Sequence, residues 1–323
     1  MKNRIFVYDK SQNLISKYME KMEKFLISRG LFDFSFLTTT DFEEFEKNLN
    51  GARENGSTFV IACDNDKLDK CLEGIKMEED ELTLVDEQAI KLENESRGEK
   101  MIFLPFELSF EKFLGGFLPS ESVQIFSVFG KSRKFVSEQF EALGASYVII
   151  TKHPFLHIVY CSGGIETEHV LQALGDAVYS QKDESLSESL LVLLNEKEKS
   201  LTTVEYGTRG RLASLLDCDG EVVRDEESLE KLGVSHETLE SENVGREVVF
   251  ALSKRGLEHD GTNLVLSVCD RIGSGERSYV SVGDKEVVHL YSSIFSGEQE
   301  ERNEILCDFA IFRMICFLKK QNA

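Results

Sequence analysis

A chain of 323 residues is long enough for two or three domains. With 41% hydrophobic residues and 23 phenylalanines it can bury real cores, which excludes wholesale disorder. A net charge of −21 excludes general affinity for nucleic acid or an anionic membrane, because phosphate attraction needs clustered lysine and arginine.

The seven cysteines are odd in number, irregularly spaced and free of any C-x-x-C, so reduced thiols in a reducing compartment are expected. The first residues show no apolar signal-peptide core. No apolar run reaches the roughly 18 to 20 residues that span a membrane. A cytoplasmic protein is the expectation.

In chain order, residues 4–8 read as a strand and residues 14–31 as an amphipathic helix ended by Gly30. Residues 32–37 form a second strand. The cluster Thr38, Thr39, Thr40 and Asp41 then caps a helix over 41–52. Residues 57–63 are an apolar strand, followed by Asp64 and Asp66 at a further helix cap. Those two carboxylates suit capping better than a cation. This is the grammar of a doubly wound sheet. Residues 77–100 are acidic and aperiodic and read as a linker or a surface excursion.

A strand over 101–105 and a helix over 109–114 come next. Residues 123–129 alternate as a half-buried strand, and Gly130, Lys131 and Ser132 open a helix to Leu143. The upstream glycine of a P-loop is absent, since Ile125 holds its place. Strands over 145–152 and 156–161 flank a turn at His153 and Pro154, and a helix is expected over 167–179. His153 and His157 lack a third metal ligand nearby, so turn and strand roles are expected. No metal or cofactor is expected.

Residues 183–199 carry a helix capped by Ser185 or Ser187. The central stretch follows: a strand over 201–205, a turn through Tyr206, Gly207, Thr208, Arg209 and Gly210, and a helix bearing Leu212, Leu215 and Leu216. Free N–H groups and the positive end of a helix dipole favour an anion in such a turn. A strand (218–224), two short helices, an amphipathic helix (244–257), a central strand (264–269) and a hairpin around Gly283 and Asp284 follow. A long helix over 298–318 closes the chain, apolar on one face through Ile305, Phe309, Phe312 and Ile315.

The central stretch resembles the signature of the CinA family, T-L-A-T-A-E-S-C-T-G-G. Leu201, Thr203, Glu205, Thr208 and Gly210 match it. Tyr206 stands where the family has its serine nucleophile, Gly207 where it has cysteine and Arg209 where it has the first glycine. The family's lysine position falls on Ser228 and its tyrosine position on Val223. Its later glycine loop is represented by Arg271, Gly273, Ser274 and Gly275.

The resemblance implies an α/β fold in three parts. These are a shortened doubly wound, molybdopterin-binding-like domain with its acidic linker (1–100), a small KH-like α+β middle domain (101–183) and a three-layer deamidase-like domain (184–323). It implies a ligand site at Glu205, Tyr206, Gly207, Thr208, Arg209, Gly210, Arg271, Gly273, Ser274 and Gly275, for a small anionic nucleotide. It also implies a homodimer; the apolar face of the last helix serves either such an interface or, equally well, the core of the single chain. A deamidase of this family must attack an amide carbon and stabilise an oxyanion. The joint loss of serine and lysine points to a catalytically inactive relative. The alternative is an active nicotinamide mononucleotide amidohydrolase using replacement residues, with Tyr206 as nucleophile and Glu205 as base. Arg209 and Arg271 are expected either to bind an anion in that pocket or to pair with neighbouring acids.

Overall fold

The structure is a computed structural model that describes residues 3–8, 15–52, 58–63, 81–85, 89–94, 99–105, 114, 122–239, 244–259, 261–272 and 276–321. The chain divides into two compact units. One holds residues 1–124 with 144–148 and 160–165, and the other holds residues 125–143, 149–159 and 166–323.

The first unit is built on a six-stranded sheet. Its strands are β1 (Asn3–Tyr8), β2 (Phe34–Thr39), β3 (Thr58–Cys63), β4 (Glu81–Val85), β5 (Ala89–Asn94) and β6 (Glu99–Pro105), in the order β2-β1-β3-β6-β5-β4. The first four of that order run parallel, and β5 and β4 complete it antiparallel. Helix α1 (Ile15–Ser28) sends Tyr18, Met22 and Leu26 onto Ile5, Val7 and Val60. Helix α2 (Phe42–Ala52) covers the other face, where Phe45 meets Phe6 and Tyr8 at ring separations of 6.3 and 5.7 Å. Adjacent strand residues point to opposite faces, so helices on both sides are what this alternation requires. Asp41 caps α2, its Oδ1 accepting from the Glu43 and Glu44 amides.

Two expectations are corrected here. The acidic stretch 77–100 is not a linker. It contains the hairpin β4–β5, with Leu82 opposite Leu92 and Leu84 opposite Ile90. The many acids hide a period of two that the leucines and isoleucine carry. The expected boundary between residues 100 and 101 falls inside β6, which pairs with β3 and β5. Asp64 and Asp66, and most of the expected helix over 109–114, lie outside the described residues.

A four-stranded sheet has the order β10-β7-β9-β8, from β7 (Gln124–Phe129), β8 (Ser146–His153), β9 (Leu156–Ser162) and β10 (Val178–Ser180). Helix α3 (Arg133–Ala142) starts at Ser132, whose hydroxyl accepts from the Phe135 amide. Strand β7 is buried over four successive residues rather than on alternate ones. The helix expected over 167–179 stops at Leu174. Gly175, at φ 58°, breaks α4 (Thr167–Leu174), and Val178 and Tyr179 join β10 antiparallel to β7.

His157 is fully buried in β9, its Nε2 donating to the Lys131 carbonyl and its Nδ1 accepting from Thr151. Burial pushes its pKa below 6.5, the Lys131 carbonyl opposes this, and His153 and Arg133 add to the depression. The unfolded chain therefore takes a proton near pH 6.5 that the folded chain refuses. Stability is expected to fall as pH drops below about 6.5 and to level off below the depressed folded value. His157→Gln should flatten that slope in a series of melting curves from pH 7.5 to 5; an unchanged slope would refute the assignment.

The remaining elements of the second unit form three layers. A five-stranded sheet has the order β12-β11-β13-β14-β15. Its strands are β11 (Leu201–Tyr206), β12 (Gly220–Val223), β13 (Leu264–Cys269), β14 (Ser278–Asp284) and β15 (Val288–Ser293). Strands β12, β11 and β13 are parallel, and β14 and β15 antiparallel. On one face, α5 (Leu186–Glu196) and α10 (Gln299–Lys320) pack on Leu264, Leu266, Val268, Val280 and Val282. On the other, α9 (Val244–Leu257) packs Val248, Val249 and Leu252 on Val204 and Cys269. Helix α5 opens with a capping box between Ser185 and Glu188.

The hairpin turns one step later than expected, where Asp284 Oδ1 accepts from the Glu286 and Val287 amides. Helix α10 is buried well beyond one stripe. Leu306, Cys307, Ala310, Ile311, Met314 and Leu318 are buried as well as Ile305, Phe312 and Ile315. The apolar face expected to serve a homodimer or the chain's own core is thus covered by that core. Among the described residues no helix is long and apolar enough to cross a membrane.

Candidate functional site

The site lies at the carboxyl end of β11, where the sheet edge meets α6 (Arg211–Leu216), as the strand–turn–helix reading expects. Gly207 (φ 86°) and Gly210 (φ 82°) make the turn, and Arg209 is held left-handed at φ 58° between them. A side chain at Gly207 would press on Asp270 Cβ at 3.0 Å. Asp270 follows β13, and its amide donates to the Tyr206 carbonyl at 3.0 Å. Asp270, the first residue after β13, therefore lies beside the turn.

The amides at the start of α6 are not free. Glu205 is completely buried and folds its carboxylate under the start of α6. Its Oε2 accepts from the Thr208 hydroxyl at 2.6 Å and the Leu212 amide at 3.0 Å, and its Oε1 from the Ala213 amide at 2.8 Å. The Arg211 and Ser214 amides go to the Thr208 and Gly210 carbonyls. The negative charge that the helix start favours is supplied by the chain itself. The expectation of an anion cradled by these amides is corrected accordingly. Glu205, with no exposed surface and donors on both oxygens, is closed to a substrate proton.

Tyr206 is half-buried, and burial raises its pKa, with Cys269, Glu226 and Asp225 pushing the same way. A phenol so placed is a poor nucleophile. Ser228 sits in the first turn of α7 (Glu226–Lys231), where its hydroxyl and amide both donate to Asp225 Oδ1, at 2.6 and 2.8 Å. Val223 is buried in β12. Arg271 does not reach the turn. It donates to the Phe295 carbonyl at 2.6 Å, is not among the residues lining the groove beside the turn, and pairs with no acid among the described residues. Gly273, Ser274 and Gly275 lie outside the described residues.

What the turn does border is a polar groove of about 590 Å³ shared by Thr208, Arg209, Gly210 and Arg211 with the start of α10. Arg209 is exposed there, and Arg211 pairs with Glu304 at 3.3 Å. Asn303 is 7% exposed; its Nδ2 donates to the Gly207 carbonyl at 3.3 Å and its Oδ1 has no partner. Sequence reasoning missed Asn303, because a lone asparagine in a helix carries no signal until its neighbours are known. It also missed the buried pair of Asp270 and Arg302 at 3.5 Å, to which Ser278 adds a hydrogen bond of 2.8 Å. His153 and His157 are both spent on protein partners, His153 Nε2 on Asp308 at 2.9 Å. Among the described residues no group of three or more histidines, cysteines and carboxylates is placed to hold a metal ion.

A three-layer α/β domain with a glycine turn after its central parallel strand defines the class. A relative from Clostridium botulinum (strain Okra / Type B1), a competence-damage inducible protein, is 30% identical over 142 residues, covering 41% of this chain and 34% of its own. Over those residues the chain is similar to a competence-damage inducible protein. It spans about a third of the length of that curated relative. No family model matches. Among solved structures, the competence or damage-inducible protein from Enterobacter asburiae has a TM-score of 0.36 and 20% identity, over 42% of this chain and 99% of its own. The competence damage-inducible protein A from Klebsiella pneumoniae subsp. pneumoniae MGH 78578 has a TM-score of 0.37 and 19% identity, over 43% and 98%.

Proposed function

We propose that this chain is a non-catalytic member of the CinA family, in which the deamidase-like domain binds a small anionic nucleotide without turning it over. The observation that carries the reading is the burial of Glu205 against three donors, which leaves Tyr206 without a base. Ser228 supports it, because its hydroxyl donates to Asp225, the cap of α7, and is not directed at the turn. In this reading the groove beside Arg209 and Asn303 takes the ligand, and the exposed Arg209 guanidinium meets the anion. The first sheet is read as a reduced molybdopterin-binding-like domain and the four-stranded sheet with α3 and α4 as KH-like. The protein is read as cytoplasmic.

The test is a challenge with nicotinamide mononucleotide, nicotinate mononucleotide and ADP-ribose, read by thermal shift and by ammonia release. A ligand at 100 times its Kd adds about 2.7 kcal/mol of apparent stability, a readily visible shift. At least one of the three is expected to raise Tm in the parent chain and to do so weakly in Arg209→Gln. If none shifts Tm, or if Arg209→Gln responds as the parent does, the nucleotide reading fails.

A further inference from the structure

A cleft of about 330 Å³ lies against α10 and shares no residue with the turn groove. Phe129, Phe155, Phe309 and Phe312 line it, together with Lys131 and Arg313. Its walls are fixed by bonded neighbours. Phe129 and Phe312 lie 4.9 Å apart between ring centres, and Phe129 also meets the edge of His153, which Asp308 anchors. The Gly130 amide donates to the Phe155 carbonyl at 2.9 Å and holds that segment in place, while the Phe155 ring stays 40% exposed.

The cations give the cleft its character. The Arg313 guanidinium lies 4.5 Å over Tyr291 and 4.8 Å over Phe309, and its Nε is buried without a hydrogen-bond partner. Lys131 stacks its ammonium over Phe135 at 5.1 Å. Neither makes an ion pair among the described residues, in a chain with 58 acidic residues. The acid that also borders the cleft, Asp176, is paired with Lys320 at 3.2 Å. A guanidinium stacked on rings keeps its N–H edge open to a carboxylate or phosphate in its own plane. The volume is far above a packing void and within the range of small-molecule pockets.

We propose that this cleft binds a small aromatic anion, a planar ring carrying a carboxylate or a phosphate. The ring lies among the phenylalanines and the anionic group meets Arg313 and Lys131. The proposal does not depend on the nucleotide reading of the turn.

Isothermal titration of the full chain with indole-3-acetate and with phenyl phosphate, neither of them a nucleotide, tests it, with indole and acetate as the two halves of the first probe. At least one whole probe is expected to bind saturably, and the halves far more weakly. Which probe binds tells a carboxylate ligand from a phosphate one. Arg313→Gln and Phe155→Ala, both at partly exposed positions and checked by circular dichroism and melting, should each weaken binding about tenfold. Arg209→Gln should leave it unchanged. The proposal is overturned if neither probe binds the folded protein, if both cleft variants bind as the parent does, or if Arg209→Gln removes the binding.

Discussion

Glu205→Ala is expected to cost about 3 to 5 kcal/mol of folding stability, read as a lower urea midpoint at an unchanged m-value. The substitution removes one acceptor site from three donors at once: the Thr208 hydroxyl and the Leu212 and Ala213 amides. Glu205 is fully buried and Leu212 and Thr208 nearly so, and water cannot replace the carboxylate without opening the turn. A helix of six residues, Arg211–Leu216, has few other bonds to hold it. Glu205→Gln keeps one oxygen but turns an N–H₂ toward donors, so about 2 kcal/mol is expected from it. A loss below about 1 kcal/mol for the alanine variant would show that the carboxylate is not the cap of α6. Against a total stability of about 5 to 15 kcal/mol, the expected loss is large.

Arg302→Met is expected to cost about 3 kcal/mol. It strands Asp270, whose side chain is 5% exposed, with only the Ser278 hydroxyl as partner. The cost falls on the loop after β13, because Asp270 also bonds the Tyr206 carbonyl through its amide. Pairing Arg302→Met with Asp270→Asn should recover part of the loss, since the stranded charge is then gone. Denaturation of the two single variants and the double variant gives the coupling directly. Additive losses would mean that the two side chains act independently.

Much of this architecture is legible in the chain. The alternation over 201–205 and the glycines at 207 and 210 mark strand and turn, because only that backbone path suits them. The same is true of the caps at Asp41, Ser132, Ser185 and Asp225, each a short oxygen side chain ahead of an apolar period. What the sequence hides is which partner a polar group chooses. A helix start that attracts an anion reads alike whether the anion is a ligand or Glu205. Arg271 reads as a site cation until Phe295 is seen to take it. The hairpin β4–β5 is hidden for a different reason, since composition outweighs a short period of two. Helix α10 carries two apolar faces, and a single stripe describes only the first.

The ammonia-release arm of the nucleotide challenge tests the central claim most directly. Nicotinamide mononucleotide is incubated with the parent chain and with Tyr206→Phe, and ammonia is followed over many hours. The account predicts no release above the protein-free background from either. Release from the parent chain that disappears in Tyr206→Phe would contradict it and make Tyr206 a working nucleophile.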